Sequence, residues 1–331
     1  MKPLVSIILP VFNGEHTLQA AIDSITHQTF TDWELIIIDD GSTDNTNSII
    51  QSINNERVTH FKTNNRGIAK ALNFGIKMSS SAIICRMDAD DVCHHQRLEL
   101  QFNYLQEHPE VGVVSSLVEY EGNREANTGY ALYVDEINQI IDRQSILKKR
   151  FTESPIPHPS VMFRKSLIYK YGGYNEGHLP EDYELWLRWM HNDVVVEKVN
   201  LPLLHWHDSA ARLSRNHANY DLEKFYELKI KYLAQHLAKQ QIPTDNLWVW
   251  GTGRQINKWI NLLNRYNLEV QGQIDVKTTS LDGSVIHFTE LDKDKHPLII
   301  SLVRDRNGKK RIEAYLNEQG YNEGRNFFML S

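Results

Sequence analysis

The chain has 331 residues, of which 41% are hydrophobic and 24% are charged, and these values are ordinary for globular proteins. A chain of this length exceeds one typical hydrophobic core, so two domains are expected. The formal net charge of −6 argues against a nucleic-acid partner, which would require a basic surface.

The N-terminal stretch MKPLVSIILPVFN does not have the pattern of a signal peptide, because its apolar run is only about seven residues long and ends at Pro10. The chain also lacks an apolar stretch of about 18 residues that could span a bilayer. Cys85 and Cys93 lack the spacing of a disulfide framework or a metal site, so we expect reduced thiols. We therefore expect a cytoplasmic protein, one able to visit the cytoplasmic face of the inner membrane as a peripheral protein.

The first hundred residues alternate between two hydrophobic periods. Continuous apolar runs predict strands at 5–11, 35–38, 58–62 and 82–87, and helical spacing predicts helices at 15–28, 43–53 and 68–76. This alternation predicts an α/β fold with a mainly parallel sheet and helices on both of its faces. Ligands of such sheets bind at the carboxyl ends of the strands.

Polar residues follow all four of these strands. They are Asn13 after the first, Asp39 and Asp40 after the second, 64–66 after the third, and 88–91 after the fourth. Four strands therefore deliver polar groups to one edge of the sheet, which indicates a functional site there.

The rest of the chain continues the alternation with less regularity. Helices are predicted at 94–107, around 137–147, at 179–190 and at 218–240, a strand is predicted at 111–118, and the three prolines within 155–164 exclude a regular helix there. We place a domain boundary at 240–245. Strands at 247–250, 270–274 and 298–302 and a helix at 256–266 then predict a second, small α/β domain over 245–331.

The second domain begins with a turn, Gly251-Thr252-Gly253, that resembles the start of a dinucleotide fingerprint, with Asp275 at 22 residues beyond Gly253. The third glycine of the fingerprint is replaced by Ile256, and few strands follow. We therefore expect a Rossmann-like accessory domain that contacts the acceptor, a partner or another copy of the chain as a homo-oligomer.

Four motifs in order carry a family resemblance: VSIILPVFNGEHTLQAAIDSITHQTFTDWELIIIDDGSTDNT, RGIAKALN, MDADD and LPEDYELWLR. Over roughly residues 4–215 the chain resembles family 2 glycosyltransferases with the GT-A fold. The resemblance implies an inverting enzyme that uses a nucleotide-sugar donor.

The resemblance also implies roles for the residues around the first two strands. Asp40 would accept the imide N–H of a uracil, which favours a UDP-linked donor, and Phe12 would stack on that base. Pro10 and Asn13 would shape the same pocket, and Glu15 would fix the loop or meet the ribose. Residues 42–44 are expected to serve as turn and cap residues. Arg66, before a helix, is either a nucleotide contact or a surface arginine.

Asp88-Ala89-Asp90 places two carboxylates at i and i+2, a pattern that suits a hard divalent cation such as Mn²⁺ or Mg²⁺. By resemblance, Asp90 would bind the metal and Asp88 the ribose or a metal-bound water, with Ala89 between them against the nucleotide sugar. Asp91 is expected to cap the following helix.

Glu181-Asp182 precedes a helix rich in tryptophan, where acidic residues also suit the helix dipole. The family's acidic motif makes Asp182 the general base that deprotonates an acceptor hydroxyl. Trp186 and Trp189 are expected in the core or under a sugar.

The stretch LHWHDSAARLSR, residues 204–215, departs from the commoner family pattern. His207 is a metal ligand or a structural histidine, His205 is a second candidate, and Arg212 and Arg215 could hold the diphosphate. For His158-Pro159-Ser160, which lies in a proline-rich stretch, we expect a structural role in packing.

The sequence therefore predicts a glycosyltransferase that acts on a glycan or lipid-linked glycan acceptor in lipopolysaccharide or capsule biosynthesis. Two alternatives are a sugar nucleotidyltransferase, which would need a glycine-rich phosphate loop that VFNGEHTLQ lacks, and a non-catalytic nucleotide-binding scaffold.

Overall fold

The computed structural model describes residues 2–208, 218–277, 280, 283–292 and 296–331. The chain divides into two compact units, of which the first comprises Met1–Ile146 and Pro155–Tyr220 and the second comprises Leu147–Ser154 and Asp221–Ser331. The second unit thus begins before the expected boundary at 240–245. No helix in the described ranges combines the length and apolar composition needed to cross a bilayer.

The elements of the first unit follow the predicted alternation of strands and helices. Its strands are β1 Val5–Val11, β2 Trp33–Asp39, β3 Val58–Lys62, β4 Ile83–Arg86, β5 Val92–Cys93, β6 Val111–Glu121, β7 Met162–Arg164 and β8 Val195–His207. Its helices are α1 Leu18–Thr26, α2 Thr46–Ser52, α3 Ile68–Met78, α4 Arg97–Glu107, α5 Thr128–Asn138, α6 Arg143–Lys149, α7 Ser166–Tyr171 and α8 Glu181–His191. Helix α6 runs across the division between the units.

One sheet of eight strands organises this unit, in the order β3-β2-β1-β4-β7-β6-β8-β5. β1 pairs in parallel with β2 and β4, and β2 pairs in parallel with β3. The α/β prediction is confirmed, and the carboxyl ends of these four strands meet at one edge. Every residue of β1 is buried, as expected for a strand covered on both faces.

Pro10 lies inside the central strand β1, where a missing N–H would normally cost a ladder hydrogen bond. The pairing of β1 with β4 ends at Ile8 and Arg86, however. The Asp40 N–H donates to the Val11 carbonyl, so the backbone groups of Pro10 face the other side, where β4 has ended. Proline is therefore tolerated at this position.

The middle of the sheet contains elements that the sequence did not predict. β7 is antiparallel to both β4 and β6, and it follows a 3₁₀ turn over His158–Ser160, so the expected absence of a regular helix in this stretch is confirmed. The long strand β8 pairs in parallel with β6 through several register shifts. Its burial pattern is irregular, which explains why hydrophobic periodicity did not predict it.

The second unit is built on a separate parallel sheet. Its elements are α9 Leu222–Lys239, β9 Leu247–Trp250, α10 Arg254–Arg265, β10 Val270–Asp275, β11 Val285–His287, β12 Leu298–Ser301, α11 Arg306–Glu318 and β13 Phe327–Met329. The strand order is β11-β10-β9-β12-β13. The Thr252 hydroxyl donates to Asp275 at 2.5 Å, so this carboxylate holds the glycine-containing turn after β9.

Two lysines, the half-buried Lys149 and the buried Lys229, tie the segment 147–154 into the second unit. Lys149 Nζ lies 3.0 Å from Glu313 and 2.7 Å from Glu323. Lys229 Nζ, on α9, donates to the carbonyl oxygens of Thr152 and Leu330. Buried ammonium groups need such partners, and these pairings explain why both the segment and α9 belong to this unit.

Gly75 allows α3 to pack closely on the sheet. A Cβ atom at this position would lie 2.6 Å from Ile8 Cγ2 and 3.3 Å from Ile38 Cγ1. We expect Gly75→Ala to be less stable than Gly129→Ala by about 1–3 kcal/mol, because overpacking outweighs the gain in helix propensity. Gly129 is the matched control, since it is also helical and has nothing within 4 Å of its added Cβ. Urea denaturation of the two variants measures the difference, and equal stabilities would contradict close packing at Gly75.

Candidate active site

Side chains from the loop after β1 hold the loop after β2. Asn13 adopts a positive φ of 55°, its N–H donates to Ser42 Oγ, and its Oδ1 accepts from the Thr43 N–H at 2.9 Å. Glu15 Oε2 accepts both the backbone and the side-chain N–H of Asn45, at 3.0 and 2.9 Å. Of the two roles predicted for Glu15, the structure shows the one that fixes the loop.

Asp40 is a buried carboxylate that organises the turn before α3. Its Oδ1 accepts from the Thr63 hydroxyl at 2.6 Å and from the Arg66 N–H at 2.8 Å, and its Oδ2 accepts from the Gly67 N–H at 2.7 Å. The structure therefore shows Asp40 holding the polypeptide, and Arg66 is attached to it through the backbone while its side chain is exposed.

Phe12 follows β1 at the same edge of the sheet. Its side chain is 49% exposed, which is unusual for a large apolar residue. Pro10 by contrast is buried within β1, and its role in shaping the pocket stays a prediction.

Three carboxylates gather at the end of β4. Asp88, Asp90 and Asp91 each offer an oxygen atom within 4.8 Å of the others. Ala89 lies in the same loop and faces the loop after β1, since a Cβ added to Gly14 would lie 3.9 Å from the Cβ of Ala89. An all-oxygen group of this kind matches the ligands that Mg²⁺ and Mn²⁺ prefer.

Arg86 places a positive charge beside these carboxylates, and the sequence analysis did not identify this residue. It is only 2% exposed, and it forms an ion pair with Asp88. Burial alone would lower the pKa of Arg86, but Asp88 raises it above its ordinary value, so the guanidinium stays charged. A signal was available, because Arg86 is the one charged residue in the apolar run 82–87.

A second buried arginine, Arg97, holds the end of β4 in position. Arg97 Nη2 donates to the carbonyl oxygens of Arg86, at 2.8 Å, and Pro159, at 2.7 Å. The carboxylate loop is thereby linked to the segment that contains His158.

Asp91 differs from its predicted role. It does not cap α4, which begins only at Arg97 after Gln96. Its Oδ1 accepts from the His207 N–H at 2.9 Å, so Asp91 attaches the end of β8 to the carboxylate loop. The prediction of a helix cap was wrong because the chain forms the short strand β5 before the helix begins.

His207 therefore meets the carboxylate group through its backbone. Its Nδ1 lies 4.0 Å from Glu121 Oε2, and its ring is not part of the three-carboxylate group found in the described residues. Metal ligation by His207 stays a prediction. His205 instead pairs with Glu119 and Glu121 at 3.1 and 3.0 Å, and Arg212 and Arg215 lie outside the described residues.

Asp182 and Glu181 open helix α8. Burial raises the pKa of Asp182, and the Tyr183 N–H and the charge of Arg86 oppose this shift. Burial and the neighbouring Asp182 raise the pKa of Glu181, while a hydrogen bond from Tyr220 opposes the rise. The Tyr220 hydroxyl lies 2.9 and 2.7 Å from the two oxygens of Glu181, a contact for which the sequence offered no signal.

His158 and Tyr174 are two further buried residues whose pKa values are affected by the charge of Arg86. His158 Nε2 lies 2.8 Å from the Tyr174 hydroxyl, and burial followed by the charge of Arg86 lowers the pKa of His158 well below its ordinary value. The imidazole is therefore neutral near pH 7. We expected this segment to have a packing role, and all three residues, His158, Pro159 and Ser160, are indeed buried.

Trp186 and Trp189 both lie in the core. Neither has solvent exposure, and their rings meet edge to face with centroids 5.6 Å apart. Of the two predicted roles, core packing is confirmed for both, and a sugar platform is excluded by their burial.

A family model described as "Glycosyl transferase family 2" matches residues 6–172. This range contains Asp40 and 88–91 and ends before Asp182.

Two relatives from Escherichia coli are similar in sequence. The UDP-Gal:alpha-D-GlcNAc-diphosphoundecaprenol beta-1,3-galactosyltransferase is 33% identical over 57% of this chain and 69% of the relative. The O-antigen biosynthesis glycosyltransferase WbnJ is 32% identical over 56% of this chain and 71% of the relative.

Among solved structures, S. aureus TarS 1-349 in complex with UDP-GlcNAc matches with a TM-score of 0.56 and 16% identity, over 80% of each chain. At this identity the likeness shows the fold alone.

The raised pKa of Glu181 predicts a pH dependence of stability. The folded chain keeps a proton that the unfolded chain releases above its ordinary pKa of 4.5, so stability falls as the pH rises from there towards neutrality. The loss is about 1.4 kcal/mol for each pH unit over which only the folded chain keeps the proton. We expect Glu181→Gln to lose less stability than the wild type between pH 5 and pH 8, measured by urea denaturation. Glu107→Gln, an exposed control, should follow the wild type, and parallel curves for all three proteins would contradict the burial argument.

Proposed function

Because the chain belongs to glycosyl transferase family 2 and is a glycosyltransferase, we propose that it transfers a sugar from a UDP-sugar to a hydroxyl group of a glycan or lipid-linked glycan. Its relatives act in bacterial polysaccharide biosynthesis, and we propose the same setting for this chain. The family decides against the nucleotidyltransferase and scaffold alternatives. The observation that carries the mechanism is the buried Arg86, which forms an ion pair with Asp88 of the three-carboxylate group and whose charge acts on Asp182.

We place the base of the donor beside Asp40. A carboxylate has about four acceptor positions, and three are used by Thr63, Arg66 and Gly67. The remaining position, on Oδ2, is available for the imide N–H of uracil. The exposed ring of Phe12 would stack on the base, and the Arg66 side chain would lie beside it.

The diphosphate would lie at the three-carboxylate group. As the family resemblance implies, we propose Asp90 as the main ligand of Mn²⁺ or Mg²⁺, with Asp88 and Asp91 beside it in the three-carboxylate group. A bound divalent cation would offset negative charge on the nucleoside diphosphate. The ring of His207 is a further candidate ligand.

Asp182 would act as the general base. A base works best when its pKa approaches the working pH, and burial moves the pKa of Asp182 in that direction. The charge of Arg86 opposes this rise in the pKa of Asp182. Deprotonation of the acceptor hydroxyl by one carboxylate supports direct displacement at the anomeric carbon, and this would invert its configuration.

Asp182→Asn tests the base. The variant keeps the size of the side chain but cannot take a proton, so transfer should fall by about 10²–10⁴-fold. Donor binding should be nearly unchanged, and Asp193→Asn, just beyond the same helix, should leave both properties unchanged. A radiolabelled sugar-transfer assay and calorimetry measure the two quantities. Transfer by Asp182→Asn at near the wild-type rate would exclude Asp182 as the base.

Calorimetric titration with UDP, GDP, CDP and ADP, each with Mn²⁺ and with EDTA, tests the donor and the metal. We expect UDP to bind in preference to the others, and more tightly with Mn²⁺ because the cation links carboxylate and phosphate oxygens. Asp90→Asn should lose the Mn²⁺-dependent part of the affinity, whereas Asp193→Asn should keep it. Equal UDP affinity in Mn²⁺ and EDTA would overturn the metal assignment, and preference for another nucleotide would overturn the uracil assignment.

A further inference from the structure

A basic groove runs along the exposed side of helix α3 in the first unit. Its volume is about 670 Å³, and its lining includes Lys62, Arg66, Lys70, Phe74, Lys77 and Glu176. We refer to it as the α3 groove. Four cations and one carboxylate line this groove, although the chain as a whole carries a net charge of −6.

Most of these cations do not form ion pairs with other described residues of the chain. Within the described part of the chain, Arg66, Lys70 and Lys77 form no ion pair, and Lys62 approaches Asp39 only at 3.8 Å. The one carboxylate, Glu176, accepts a hydrogen bond from Asn73 at 3.1 Å. Positive charge is therefore left for a ligand from outside.

The proposed donor contact involves Arg66 at the start of the groove and leaves the charge of the three lysines unexplained. In the sheet order β3-β2-β1-β4, the base site at Asp40 follows β2 and the carboxylate group at Asp88 follows β4. Because α3 connects two parallel strands, it runs from this carboxyl edge back along the sheet, so Lys77 near its end lies away from the donor site. Lys77 lies eleven residues after Arg66, which corresponds to about 16 Å along a helix.

Exposed apolar side chains accompany the far end of the groove. Met78, the last residue of α3, is 42% exposed. Tyr169, on α7, is 78% exposed, and Lys165 just before α7 donates to the Ser79 carbonyl at 2.6 Å. Basic residues next to exposed apolar and tyrosine side chains are typical of surfaces that bind an anionic bilayer, whereas a soluble phosphate compound would need only the cations.

We propose that the α3 groove binds the phosphate headgroups of an anionic membrane surface. This surface would hold the first unit with α3 towards the lipid and the carboxyl edge of the sheet beside it. Given the proposed function, a lipid-linked acceptor would then reach Asp182 by diffusing along the bilayer.

Co-sedimentation with vesicles tests this proposal without donor or acceptor. The wild-type chain should bind phosphatidylcholine vesicles that contain phosphatidylglycerol, should bind less as salt rises, and should not bind phosphatidylcholine alone. Lys70→Ser combined with Lys77→Ser should weaken binding by about tenfold or more. Lys231→Ser combined with Lys239→Ser removes the same charge from α9 and should bind like the wild type.

The UDP affinity of all three proteins, the wild type and the two double variants, provides the folding control, because neither pair of lysines belongs to the proposed donor site. The proposal is overturned if the Lys70 and Lys77 double variant binds vesicles as well as its control, or if the wild type binds inorganic pyrophosphate but not anionic vesicles. If the wild type binds anionic vesicles but shows no affinity for UDP, that result would count against the proposed function and leave the membrane proposal standing.

Discussion

The buried guanidinium of Arg86 lies among acidic groups whose charges would otherwise repel one another. It pairs with Asp88 and reduces the rise in the pKa values of Asp182 and Glu181. An unpaired charge in this position would be costly, so the carboxylates and the guanidinium stabilise each other. Burial, and after it the charge of Arg86, lowers the pKa of His158 well below its ordinary value. The three-carboxylate group and the pair Glu181 and Asp182 thus both depend on one residue at the end of β4.

The polar residues around the site have a second role as structural supports. Asp40, Asn13 and Glu15 each accept hydrogen bonds from the backbone of a neighbouring loop. Loops held in this way need less ordering when a ligand binds, and preorganisation of this kind favours both binding and catalysis. A residue can therefore hold the loop and still present a remaining acceptor to the substrate, as we propose for Asp40.

Two lysines, one half-buried and one buried, have a comparable role in the second unit. Lys149 pairs with Glu313 and Glu323, and Lys229 donates to two carbonyl oxygens. These contacts bring the short segment 147–154 and the helix α9 to the second sheet. Polar contacts of lysines with distant parts of the chain thus help to set the limits of this unit.

The sequence alone determined the parallel strands β1 to β4, the polar edge at their carboxyl ends and the family resemblance. These features rest on continuous apolar runs and on short motifs, which are local in the chain. Tertiary structure decided the rest. β8 has weak periodicity and forms by pairing with β6 and β5, and Asp91 accepts from His207, which is distant in sequence. The contact of Tyr220 with Glu181 and the position of Arg86 likewise depend on packing between distant segments, which no local pattern encodes.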